Sequence, residues 1–104
     1  MMEPHPSTAE GIKFLPPDEA AGFEGTIEHL ARKNIQPSEV DEVFWEPPVW
    51  LRNKKNRRAS WRMLGRTVAG RALDIKIMWD PEGEPLLVPV TGWRAADADV
   101  NKYL

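Results

Sequence analysis

Between Arg52 and Arg71 the chain places eight basic residues and no acid: Arg52, Lys54, Lys55, Arg57, Arg58, Arg62, Arg66 and Arg71. Trp50 and Trp61 lie beside and among them. Guanidinium forks bind phosphate, and aromatic rings stack on unpaired bases, so this pattern suits single-stranded RNA. Two other readings stay open at this point. The basic stretch could pair with acidic segments of the same molecule, or it could dock an acidic protein.

The rest of the chemical inventory is short. There are no cysteines, which excludes disulfides, thiolate metal sites and cysteine nucleophiles. His5 sits in a proline-rich leader and is expected to be solvated; His29, beside an apolar helical stripe, is read as a surface residue. No HExxH, glycine-rich phosphate loop or cluster of metal ligands occurs, so neither metal nor cofactor is expected. Ser7, Ser38 and Ser60 have no triad partners at readable spacing, and the carboxylates of EPP and DPEGEP belong to turns. What remains is Arg, Lys and Tyr103. Such groups can run RNA cleavage: cations stabilise charge developing on phosphate, and one Lys or Tyr moves a proton.

A chain of 104 residues is the size of one domain. Its net charge of −2 conceals a segregation. Residues 1–49 carry −7, residues 50–79 carry +8 from nine bases and one acid, and residues 80–104 carry −3. No apolar run approaches the ~20 residues of a membrane span, and the first residues do not read as a secretory signal. A cytoplasmic protein without membrane association is expected.

The elements that must position the basic stretch are readable in outline. Residues 1–22, with Pro4, Pro6, Pro16 and Pro17, predict a flexible leader in which GIKFL could add a short strand. The domain proper is expected over 23–104. Phe23, Ile27, Leu30 and Ala31 make one helical stripe, closed by Asn34 at the stop. Ser38 is the expected N-cap of a second helix whose buried face is Val40, Val43 and Phe44, ended by Pro47 and Pro48. Strands are predicted over 49–53, 60–67, 71–79 and 85–93, with turns at 68–70 and 80–85. Trp61, Met63, Gly65, Leu73, Ile75, Ile77 and Trp79 face inward by alternation, and Arg62, Leu64, Arg66, Asp74 and Lys76 outward. Pro89 implies an edge strand or a bulge. A short helix closes the chain. The predicted class is α+β: two N-terminal helices on a three- to four-stranded antiparallel sheet, then a short C-terminal helix.

Three segments resemble the BrnT family, the toxin component of type II toxin–antitoxin modules. IEHLARKNIQPSEVDEVFWEPP is similar to the family's two helices and the turn between them. WRMLGRTVAGRAL is similar to its strand–turn–strand, aromatic-R-x-x-G-x-[ST]-x-x-G-R-x-L. VTGWRAADADVNKY is similar to its closing motif. The resemblance runs from Ile27 to Tyr103. It implies a RelE-like fold, a ribonuclease that slows translation, and a tight complex with a BrnA-like antitoxin. That partner is a ribbon-helix-helix DNA-binding protein, so DNA would be reached only through it. Departures are visible: the family's turn His falls on Lys33, its first closing Arg on Trp93 with Arg94 following, and its last-helix Glu on Asp99. By this resemblance Arg62, Arg66, Arg71, Arg94 and Lys33 would contact phosphate, with Lys33 or Tyr103 moving the proton. The catalytic set is thus Lys33, Arg62, Arg94 and Tyr103. Arg71 could instead brace the hairpin turn, and Trp61 and Trp79 could be core. A non-catalytic RelE-like binding protein, associating only with a protein or RNA partner, is the alternative.

Overall fold

The computed structural model describes residues 3–104. After a short 3-10 turn at Pro6–Thr8 come helix α1 (Thr26–Ala31) and helix α2 (Pro37–Trp45). Four strands follow, β1 (Val49–Arg52), β2 (Trp61–Arg66), β3 (Ala72–Trp79) and β4 (Leu87–Arg94), and then helix α3 (Asp97–Tyr103). The strands form one antiparallel meander in the order β1-β2-β3-β4. The α+β architecture is therefore the one the patterning predicts. No helix of the described residues is long and apolar enough to cross a membrane.

Period-two alternation puts Met63, Leu73, Ile75, Ile77 and Leu87 on one face of the sheet, where Leu30, Ile35, Val40, Val43 and Phe44 pack against them. Trp61 is buried in this layer and Trp79 half-buried at its margin, as the core reading requires. Pro89 sits in the outer strand β4, and the pairing skips between Lys76 and Ile77, so β4 carries both the edge position and the irregularity that a proline needs.

Helix α1 is shorter than the stripe suggested. Gly25, at φ 98°, precedes it, and a β-carbon there would collide with Glu28 Oε2. Thr26 takes the buried place instead, its hydroxyl accepting the Leu15 amide at 2.9 Å, while Ile27 is left 42% exposed. Asn34 adopts the left-handed stop conformation (φ 59°), and Ile35 turns back into the core. The α2 cap is Gln36 rather than Ser38. Pro37 has no N–H and a preset φ, so it takes the first helical position, and Glu39 Oε1 reaches back to the Gln36 amide at 3.0 Å.

The leader, expected to fray, is laid along the outer edge of β4. Glu10 N–H donates to Pro85 O, Leu87 N–H to Gly11 O and Lys13 N–H to Leu87 O, and Ile12 and Phe14 pack on the core. The predicted short strand is reduced to a parallel bridge, Ile12 to Leu87. A strand edge with open N–H and C=O groups and an adjacent apolar margin accounts for this docking. Lys13 locks it: its ammonium lies 2.8 Å from Glu84 and 3.1 Å from the buried Asp80. Those hydrogen bonds, Glu84's first, hold Lys13 above its ordinary pKa. Burial pushes the Asp80 carboxyl up, but the Glu82 amide, the Lys13 ammonium and the Glu84 amide more than offset that, and its pKa lies below the ordinary value.

A depressed carboxylate stabilises the fold above its unfolded pKa and loses that contribution as pH falls through its folded value; a raised ammonium does so only as pH rises through its own. The latch is therefore intact at neutral pH and fails in acid, below the ordinary carboxylate range. The stability gap between wild type and Asp80→Asn should be flat around neutrality and shrink in acid. Melting curves across that range check it; a gap that holds or widens in acid would sink the latch.

Candidate nucleic-acid interface

The face of the sheet turned away from α1 and α2 carries the polar alternates. Register aligns a row across three strands: Arg62 on β2 opposite Lys76 on β3, and Lys76 opposite Thr91 on β4. Asp74 lies one pair along, opposite Trp93. This face is not bare, because Leu64 and Val88 on it are fully buried and α3 folds back far enough for Asp99 to reach Arg62.

An ion network occupies its centre. The Arg62 Nη2 donates to Asp74 Oδ2 at 2.9 Å and to Asp99 Oδ2 at 2.9 Å, and Lys76 Nζ donates to Asp74 Oδ2 at 3.0 Å. Asp74 is the one acid of residues 50–79, and its side chain is only 4% exposed. The Asp74 hydrogen bond comes first among the causes that hold the Arg62 guanidinium above its ordinary pKa. Lys76 also sits 4.7 Å from the centre of the Trp93 ring, a cation–π contact on a ring that remains 44% exposed.

The β1–β2 loop walls this network. Asn53 closes its neck by donating to Ser60 O from the backbone and to Ala59 O from the side chain, and Asn56 turns it with φ 64°. The result is a cavity of about 620 Å³ lined by six cations: Arg52, Lys54, Arg57, Arg58, Arg62 and Lys76. Two carboxylates, Asp74 and Asp99, also line it, leaving a formal +4. Arg52 lies over Trp61 at 4.3 Å and Arg58 over Phe23 at 5.4 Å. Among the described residues, Arg52, Lys54, Arg57 and Arg58 have no carboxylate partner.

The remaining predicted residues go elsewhere. Arg66, Arg71 and Arg94 line a second cavity, of about 450 Å³, with Asp97. Arg71 is committed to bracing: its Nη1 donates to Asn34 O at 2.6 Å and to the Glu39 carboxylate at 3.0 and 3.1 Å, tying the hairpin turn to the α1–α2 turn and to α2. Arg66 donates to Gly70 O. Lys33 and Lys55 are exposed and line neither cavity, and Tyr103, under the Lys102 ammonium, lines neither as well. Lys33, Arg62, Arg94 and Tyr103 are thus not gathered into one site.

His29 is engaged rather than idle. Its Nδ1 lies 2.9 Å from Glu24 Oε1, and its Nε2 lies 3.2 Å from Thr91 Oγ1. Arg32 holds the other oxygen of Glu24 at 2.8 Å. His29 lines a smaller cavity of about 250 Å³ with an apolar floor of Met78, Val88 and Val90, and Arg58 and Val90 border both this cavity and the large one. Reasoning from sequence missed this group because Glu24 precedes the helix and Thr91 is 62 positions away. Asp74 was findable as the lone acid of residues 50–79.

One trio of carboxylates among the described residues, Asp80, Glu82 and Glu84, has oxygens within 4.8 Å of one another, but the Lys13 ammonium already serves them. A scan against protein-family models, a search of curated proteins and a search of solved structures each found no match to this chain.

Proposed function

We propose that the chain is a RelE-like toxin of the BrnT type, a cytoplasmic ribonuclease that binds RNA on the open sheet face and is neutralised by a BrnA-like ribbon-helix-helix antitoxin. The observation that carries this reading is the cavity with Arg52, Lys54, Arg57 and Arg58 unpaired by carboxylate, beside the exposed Trp93 ring. Loop guanidiniums take the phosphates and Trp93 offers a stacking surface for one base. Arg62 and Lys76 are matched by Asp74 and Asp99, so the unpaired cations beside them supply the positive charge where a phosphate in reaction gains negative charge. The order helix, helix, meander, helix agrees with the resemblance in the sequence.

A second reading has its own observation. The four residues assigned to catalysis by resemblance are dispersed, which favours a protein that binds RNA or a partner without cleaving. Purified wild type mixed with labelled single-stranded RNA separates the two, alongside growth after induced expression. Ribonuclease function predicts shortened RNA and growth arrest. Binding that falls steeply with salt, without cleavage or arrest, supports the second reading. Absence of any RNA binding would remove both RNA readings.

A further inference from the structure

We propose that Glu24, His29 and Thr91 form a proton relay that serves the large cavity, with His29 as the base and Thr91 as the group that meets the substrate hydroxyl. This inference rests on the ribonuclease reading above and names its missing base. A carboxylate can only accept, so the 2.9 Å contact with Glu24 puts the proton of the neutral imidazole on Nδ1. Nε2 is then a lone pair, and at 3.2 Å it receives the Thr91 hydroxyl proton. Arg32 anchors the second oxygen of Glu24 and so fixes the carboxylate that orients the ring. Carboxylate, imidazole and hydroxyl in this order let the imidazole take the hydroxyl proton, and an oxygen losing its proton to His29 can accept one from a substrate hydroxyl in the same step.

Position supports the role. Thr91 lines the large cavity, and the pairing puts it next to Lys76, which is next to Arg62. A phosphate held in that cavity by the unpaired cations, Arg58 among them, brings an adjacent ribose hydroxyl to Thr91. The step balances as a transesterification. The ribose 2′-hydroxyl gives its proton to Thr91 Oγ1 while the Thr91 proton passes to His29 Nε2. The 2′ oxygen bonds to phosphorus, the bond to the 5′ oxygen breaks, and that oxygen takes a proton from water. The hydroxide left behind is neutralised by the imidazolium proton. The products are a 2′,3′-cyclic phosphate and a 5′-hydroxyl.

The test uses the full chain and a labelled mixed-sequence single-stranded RNA, with circular dichroism on every variant. His29→Ala should lower cleavage by about 10²- to 10⁴-fold, the range of a general base. Added imidazole should restore part of the rate, which a merely structural His29 would not allow. Thr91→Val, a substitution that suits a strand, should also lower the rate, and Glu24→Gln should give an intermediate loss. Wild-type cleavage should leave a cyclic phosphate by mass spectrometry. If His29→Ala cleaves at the wild-type rate, or loses activity without imidazole rescue, the relay is overturned and the ribonuclease reading stands. If His29→Ala does not fold, Thr91→Val decides: full activity overturns the relay. A wild type that binds RNA but leaves it intact overturns relay and ribonuclease together.

Discussion

Arg62→Ala should destabilise the fold by about 2–3 kcal/mol, far more than loss of a surface phosphate contact would. The reason is what it leaves behind. The Asp74 side chain is 4% exposed and takes hydrogen bonds from Arg62 Nε, Arg62 Nη2 and Lys76 Nζ. Removing the guanidinium leaves a buried carboxylate with one donor, and Asp99 loses its only ion-pair partner among the described residues. Breaking a fully buried pair costs about 3–5 kcal/mol; the surviving Lys76 contact and the 22% exposure of Arg62 bring the figure down. Urea unfolding of the purified variant measures it. The double variant Arg62→Ala with Asp74→Ala should recover part of the loss, because the buried Asp74 carboxylate goes with its partner; recovery stays partial because Lys76 and Asp99 then lose theirs. A change within about 0.5 kcal/mol, the range of an ordinary surface substitution, would contradict the structural role. The consequence for function is practical. Lost activity in Arg62→Ala would report on the fold as much as on RNA, so it cannot serve alone as the diagnostic.

The periodicity of the strands and of α2 was legible because apolar burial dictates it: Val40, Val43, Phe44, Leu73, Ile75 and Ile77 all face the core. The leader was not, because its docking depends on an unpaired β4 edge and on Lys13 meeting Asp80 and Glu84, contacts across more than sixty residues. The three readings of the basic stretch divide in the same way. Composition cannot say which cations the acidic helices neutralise. In the structure Arg71 is the member of the eight that pairs with a helix of the acidic half, through Glu39, and Arg62 pairs with Asp74 and Asp99. The loop cations pair with no carboxylate among the described residues, so internal neutralisation does not account for them. The alternation rule also placed Leu64 outward with Arg62, whereas Leu64 is fully buried. A sheet with buried residues on both faces defeats a one-sided reading.

Replacing Lys54, Arg57 and Arg58 together with glutamine should abolish most of the RNA affinity at low salt and flatten its salt dependence. These three line the large cavity from the β1–β2 loop, and no ion pair among the described residues breaks when they go. The loop neck, held by Asn53 to Ser60 and Ala59, is untouched, so stability should move by no more than about 0.5 kcal/mol. For single strands the slope of log affinity against log salt is about −0.7 per phosphate contact. On the proposed RNA reading, four unpaired cations, Arg52 included, would give the wild type a slope of about −2.8, or roughly a 50-fold loss between 50 and 200 mM salt. With three neutralised the slope falls to about −0.7 and the loss over the same range to roughly threefold. Titrations of labelled RNA at several salt concentrations read both numbers. An acidic protein partner gives a different pattern: RNA affinity would be weak from the start and its salt slope unchanged by the triple substitution. Because the variant keeps the Arg62–Asp74–Lys76 network and the Glu24–His29–Thr91 group whole, a loss of RNA affinity here would isolate the loop as the binding element, which Arg62→Ala cannot do.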